Sequence, residues 1–184
     1  KFGFSIYSAR YGNIYTVRQL LQLAQEVSGE RIPENYIWEK DGKYFDALRP
    51  SVEPEGLSSP EEVVIHRKHH ILRVKKLFSE LDLLIFTFGL TEMWVHKDSK
   101  TVYPTAPGTI AGDFNQDKYS FENAQFLDIF NDFINFQEVL KKIRGNRSFN
   151  ILLSVSPVPL TASASGKHIL LSNRYSKSTL ISVA

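Results

Sequence analysis

Apolar positions along the chain fall into a few strongly patterned stretches, separated by polar segments rich in Pro and Gly. Val17, Leu20, Leu21, Ala24 and Val27 recur at three- and four-residue spacing, which places them on one face of a helix. Thr16 or Asn13 caps its start, because either side-chain oxygen can accept from the first-turn N–H groups, and Gly29 ends it. Upstream, residues 1–7 are aromatic-rich and fit a strand or an entry loop. Ser59-Pro60-Glu61-Glu62 opens a second helix, with Ser59 as cap, Pro60 at the first helical position and Glu62 completing a capping box. That helix runs to about Glu80. Residues 81–88 are nearly all apolar and predict a buried parallel strand. A third helix is predicted over 121–143, with Phe126, Ile129, Phe130, Phe133, Phe136, Leu140 and Ile143 as its apolar side and Gly145-Asn146 as its stop. Residues 149–155 read as a second buried strand, and a final helix begins near Ser176.

Two stretches interrupt this pattern. Over 30–58, Pro33, Pro50 and Pro54 exclude a long helix. There Tyr36-Ile37-Trp38 and Tyr44-Phe45 flank Asp41-Gly42, a hairpin turn signal, so the stretch is an excursion from the main fold and a candidate flap. Residues 96–119 read as a long polar loop with Pro104, Pro107, Gly108 and Gly112, a length usually tied to function or disorder. Strands alternating with helices predict an α/β fold, a parallel sheet in a three-layer α/β/α sandwich, spanning 1–184 as one domain. Ligands in such sheets bind outside the carboxyl ends of the strands. That rule selects the loops at 10–13, 89–94 and 156–161.

Charge and cysteine content narrow the chemistry. Lys and Arg number 22 against 20 Asp and Glu, a balance too even to suggest nucleic acid or an acidic membrane surface as partner. The absence of cysteine excludes disulfides, thiolate metal sites and a thiol nucleophile. It leaves the compartment open, with the cytoplasm favoured. No apolar run reaches the ~18 residues of a membrane span. No metal or redox cofactor is expected.

The three selected loops carry a resemblance. Ser8-Ala9-Arg10-Tyr11-Gly12-Asn13-Ile14-Tyr15-Thr16-Val17-Arg18-Gln19-Leu20 is similar to an N-terminal block of GSCFA proteins. Phe86-Thr87-Phe88-Gly89-Leu90-Thr91-Glu92-Met93-Trp94 resembles their central block. Ser154-Val155-Ser156-Pro157-Val158-Pro159-Leu160-Thr161 resembles the third, continued by Tyr175-Ser176-Lys177-Ser178. The resemblance implies a flavodoxin-like fold of the SGNH hydrolase group and an activity on acyl esters, plausibly those of glycans. The motif that names the family, Gly-Ser-Cys-Phe-Ala with its nucleophilic Ser, does not occur here, nor does the Asp-x-x-His pair of the wider group. The chain therefore reads as a domain incomplete at both ends, with the catalytic Ser and His outside it. The alternatives are an O-acyltransferase working on glycans from an acyl donor, and a glycan-binding module without catalysis. The expected partner is a small-molecule or glycan ester; oligomeric state is not legible.

By the same resemblance, Gly12 matches the glycine that helps form the oxyanion hole. Gly89-Leu90-Thr91 stands where the group has Gly-x-Asn, with Thr91 in place of Asn. A hydroxyl offers one donor where an amide offers two. Glu92 completes the set of candidate catalytic residues, and Asn13, Trp94 and Ser156 are the candidate substrate-binding ones. Each has a plainer alternative. Gly12 serves a turn equally well, and Thr91 with Glu92 suits the capping of a following helix. Trp94, Tyr103 and Tyr119 suit either sugar stacking or packing. Ser156 lacks an adjacent base, with His168 the nearest along the chain. His66, His69 and His70 imitate a metal cluster, but Arg67 stands where a zincin has Glu, so a helix face is the better reading. Asn146-Arg147-Ser148 fits a glycosylation sequon.

Overall fold

Thr16 opens α1 (Val17–Ser28) in the computed structural model of the chain, which describes residues 9–145 and 147–184. Its hydroxyl accepts from the Gln19 N–H at 3.2 Å, and the Gln19 side-chain oxygen accepts from the Thr16 N–H at 3.1 Å. This reciprocal pair satisfies two first-turn donors. Gly29 closes the helix in the left-handed conformation. The apolar face of α1 is buried from Val17 to Val27, as its spacing predicts. The expectation for residues 1–7 and the sequon at Asn146 fall outside the described residues.

The excursion is a hairpin, β1 (Ile37–Lys40) and β2 (Lys43–Asp46), turning at Asp41-Gly42. Both turn residues have positive φ, 53° and 72°, as the twist of a two-residue hairpin requires. It is packed rather than free to act as a flap. Trp38, Phe45 and Ala47 bury against Tyr103 and Ala111 in a second small core, and the Gly112 N–H donates to the Glu39 carbonyl at 2.9 Å.

In α2 (Pro60–Glu80), the Ser59 hydroxyl accepts from the Glu62 N–H. The Glu62 carboxylate accepts from Ser58, not from Ser59, so the expected capping box is displaced by one residue. A buried ionic network ties α2 to the rest. Arg67 donates to both Asp46 oxygens at 3.1 Å and forms a two-point pair with Glu26, while Arg49 donates to Asp46 at 2.7 Å. One guanidinium thus joins α1, α2 and the hairpin.

The two apolar segments form β3 (Leu83–Phe88) and β7 (Asn150–Val155), paired in parallel from Leu83 opposite Asn150 to Phe88 opposite Val155. They are buried on one face only, not on both. Phe86 and Phe88 point into the main core, where Phe88 meets Phe133 edge to face at 5.6 Å. Leu83, Ile85 and Leu152 are about half or more exposed on the other face.

Between them the chain is richer in strands than its pattern predicts. β4 (Glu92–His96) pairs antiparallel with β5 (Val102–Tyr103) and with β6 (Tyr119–Asn123). No helix follows Thr91, so that residue is not a helix cap. Helix α3 runs Phe126–Ile143 rather than from 121. Phe121 and Ala124 prolong the helical spacing backwards, but the Gln125 N–H donates to the Asp128 carboxylate at 2.9 Å and fixes the start there. Helix α4 covers Ile169–Val183 and starts well before Ser176. Its buried stripe is Ser172, Ser176 and Leu180, while Leu170, Leu171 and Ile181 are exposed, so apolar periodicity misplaces it. Among the described residues the architecture is a mixed α/β fold with three small sheets.

Candidate functional site

The carboxyl ends of β3 and β7 set the site. Gly89 follows Phe88, and Ser156 follows Val155 on the neighbouring strand, where its N–H donates to the Phe88 carbonyl at 2.9 Å. The loop before α1 reaches the same edge, because the Tyr15 carbonyl accepts from both the Gly89 and Leu90 N–H groups at 3.0 Å. Gly89 is required here: a Cβ on it would lie 2.8 Å from the Tyr15 carbonyl oxygen, which is backbone and cannot yield.

Beside this junction lies a cleft of about 430 Å³, walled by Trp94, Tyr103 and Phe121 and reached by Tyr15, Gln19 and Leu90. Glu92, paired with Asn123 across β4 and β6, lies on its lining and is buried. Its Oε1 accepts from the Ser163 hydroxyl at 2.7 Å. Ser163 Oγ is 2.8 Å from Ser165 Oγ, which is 2.9 Å from Ser172 Oγ. Ser163 has one proton to give, so with Glu92 ionised the chain of hydroxyls is oriented: Ser172 donates to Ser165, Ser165 to Ser163, Ser163 to Glu92. Trp94 is half-buried and packs edge to face on Phe114 and Phe121. Tyr103 shows the cleft only an edge, since its ring packs on Trp38 and its hydroxyl donates to the Asn35 carbonyl at 2.9 Å. Tyr119 stands behind Tyr103 rather than on the cleft.

The residues singled out by sequence divide accordingly. Glu92 and Trp94 line the cleft. Gly89 and Thr91 bracket Leu90 at its floor, but their amides are engaged, Gly89 with Tyr15 and Thr91 with the Ser176 hydroxyl at 3.2 Å. The Thr91 hydroxyl is buried without a hydrogen-bond partner. Gly12, with φ of 69°, is pressed against Arg49 and Val52 of the excursion, where a Cβ would sit 3.0 Å from Arg49 Cβ. Asn13 is exposed, and its carbonyl accepts from Gln19 Nε2. The Ser156 hydroxyl accepts from the Val158 N–H at 3.3 Å. Ser163, Ser165, Ser172 and Lys177, whose ammonium donates to the Gly89 carbonyl at 3.1 Å, were not among the expected site residues. The Ser-rich run after the third block was the available signal. Among the described residues, no group of three or more His, Asp or Glu side chains is arranged to hold a metal ion. No helix among them is long and apolar enough to cross a membrane.

Thr91 yields a direct test. Valine keeps its shape and removes a hydroxyl that is desolvated without a bond, so Thr91→Val is expected to leave stability unchanged or to raise it by about 1 kcal/mol in urea unfolding. A loss of more than that would mean that the hydroxyl has a partner.

The chain is a mixed α/β protein with a crevice at the carboxyl edge of its parallel strands, aromatic on its walls and bearing a few convergent polar groups, which is where small ligands ordinarily bind in such folds. The model of the GSCFA family matches residues 1–184, and the chain belongs to that family. No curated protein and no solved structure matches it.

Proposed function

We propose that the chain forms the substrate-holding part of an SGNH-type hydrolase that removes acyl esters from glycans. The observation that carries this reading is the cleft beside the β3–β7 edge, with Trp94 on its wall and the Glu92–Ser163 pair on its lining. A half-buried indole offers a flat apolar face to the C–H side of a pyranose ring, and a buried carboxylate accepts from sugar hydroxyls. In this proposal the nucleophilic Ser and the His base come from outside this chain. The Ser oxygen attacks the ester carbonyl, the His takes its proton and returns it to the departing sugar hydroxyl, and water then releases the acid. Gly89 and Thr91 shape the floor through their bonds to Tyr15 and Ser176. The same proposal makes β3 and β7 the centre of a wider sheet in a three-layer α/β/α sandwich. The exposed apolar face at Leu83, Ile85 and Leu152 supports this, because parallel strands are ordinarily covered on both faces.

The test is Glu92→Gln in a protein that also carries the family's Gly-Ser-Cys-Phe-Ala segment. Gln keeps an acceptor for Ser163 but loses the charge. The expected outcome is a fall of about tenfold in kcat/KM on an O-acetylated glycan with an unchanged melting temperature, the size of one charge-assisted hydrogen bond. A lowered melting temperature with unaltered kcat/KM would make Glu92 structural and remove the support for this cleft.

A further inference from the structure

Three acidic residues are buried among the described residues: Asp46, Glu92 and Asp132. Two of them hold a cation of the protein itself. Asp46 is paired with Arg49 at 2.7 Å and with Arg67 at 3.1 Å, and Asp132 is paired with Arg18 at 2.9 Å. Glu92 forms no salt bridge with any described residue. Its Oε1 accepts from the Ser163 hydroxyl at 2.7 Å, at the end of the hydroxyl chain from Ser172, and no described residue donates to its Oε2. That second oxygen is not sealed from solvent, unlike the unpaired Thr91 Oγ1 and Asn123 Oδ1 of its neighbours. A carboxylate largely removed from water with one oxygen unpaired is costly, and a cation brought to that oxygen offsets the cost.

The cleft of about 430 Å³ that Glu92 lines supplies no such cation. Among the described residues its lining contains no Lys, Arg or His, and Glu92 is its single acid. Lys177, whose ammonium is on the Gly89 carbonyl at 3.1 Å, is not part of that lining. The lining does include the rings of Tyr15, Trp94 and Phe121. A lone carboxylate in an aromatic cleft suits an organic ammonium group: the carboxylate accepts its N–H bonds, and the electron-rich ring faces attract its charge. A metal ion is a poorer match, because Ca²⁺ and Mg²⁺ take roughly six or more oxygen ligands and the cleft offers one carboxylate. A sugar carrying a carboxylate of its own would meet Glu92 with no cation to receive it.

Taking this cleft as the glycan site proposed above, we infer that it selects an amino sugar, one whose nitrogen is a free, protonated primary amine. The experiment is calorimetric titration of the protein with three tetrasaccharides at a pH that keeps the sugar amine protonated: a glucosamine oligomer, its neutral N-acetylated counterpart and a galacturonic acid oligomer. The net charge of the chain is +2, so a preference for the cationic oligomer does not arise from general attraction and reports the local site. The expected result is that the glucosamine oligomer binds about tenfold more tightly than the N-acetylated one, the size of one charge-assisted contact, and that the galacturonic acid oligomer does not bind measurably. Glu92→Gln keeps an acceptor for Ser163 and removes the charge. It should bring the ratio of the two affinities close to one, whatever it does to each of them. The ratio separates this inference from the reading on which it rests. Equal binding of the glucosamine and N-acetylated oligomers, or a preference that survives Glu92→Gln, overturns the selection of an amine and leaves the glycan cleft standing. Binding of neither oligomer overturns both.

Discussion

Replacing Arg67 by Met is expected to cost about 3–5 kcal/mol of stability, the largest single effect foreseen in this protein. The guanidinium side chain is 5% exposed and its partners Glu26 and Asp46 are 11% and 6% exposed. Methionine fills much of the volume but leaves Glu26 buried beside Asp46, with no cation bonded to it. The two carboxylates respond differently to the same arginine. Burial pushes Asp46 upward, but Arg67, Arg49 and the Leu48 N–H outweigh it and hold its carboxyl below the usual carboxylate range. Burial pushes Glu26 upward and wins, since Arg67 is its principal partner and Asp46 repels it. Glu26 is therefore the group that suffers most from the substitution. Arg67→Met combined with Glu26→Gln should recover part of the loss. Urea midpoints at constant slope give both numbers. A loss below about 1 kcal/mol for Arg67→Met would be the value of a solvated surface pair, not of a buried network.

Acidification is expected to remove up to about 3 kcal/mol through a single histidine. Burial, followed by the nearby Arg49, depresses His70 from 6.5 to about 4. In the folded protein the ring is neutral below the pH at which the unfolded chain takes up a proton. The unfolded state thus binds more protons between about pH 6.5 and 4, and stability falls as pH falls through that window. Above pH 6.5 the contribution is complete and flat. Asp46, whose carboxyl is also depressed, adds a further loss as pH falls below the usual carboxylate range. His70→Asn places an amide N–H where Nδ1 stands, so it can still donate to the Ala9 carbonyl and cannot titrate, and its stability should be much flatter from pH 6.5 to 4. An NMR titration that puts His70 near its ordinary value would contradict this.

The sequence was most legible where local chemistry decides the structure. The apolar face of α1, its Thr16 cap and Gly29 stop, the Asp41-Gly42 turn and the Ser59-Pro60 start all appear as expected, because each rests on residues within a few positions of one another. The parallel pairing of β3 and β7 also follows from their apolar runs. Two failures share a physical origin in long-range packing. The strands β4, β5 and β6 are short, and Tyr103 and Tyr119 pack with a hairpin some 60 or more residues earlier, a contact no local window contains. Helix α4 turns serines inward and leucines outward, since Ser176 bonds the Thr91 amide and Ser172 joins the hydroxyl chain to Glu92. The candidate site was legible in part. The rule of strand carboxyl ends selected the loop that bears Glu92 and Trp94, but Ser163 reaches Glu92 through a loop with no pattern of its own. Gly12 stands out by resemblance alone, and the contact that demands a glycine there is with Arg49 of the excursion.

The central claim is that the cleft beside Glu92 and Trp94 holds a glycan ester for hydrolysis. The most direct measurement is acetate released from an O-acetylated polysaccharide by a protein spanning the Gly-Ser-Cys-Phe-Ala segment and this chain, compared with its Trp94→Ala variant. The account predicts acetate appearing in water without transfer to another sugar, and a KM raised about tenfold by Trp94→Ala, the value of an aromatic sugar contact on the order of 1 kcal/mol. Polysaccharide binding with no acetate released, acetyl transfer to a second glycan, or turnover indifferent to Trp94→Ala would each contradict it.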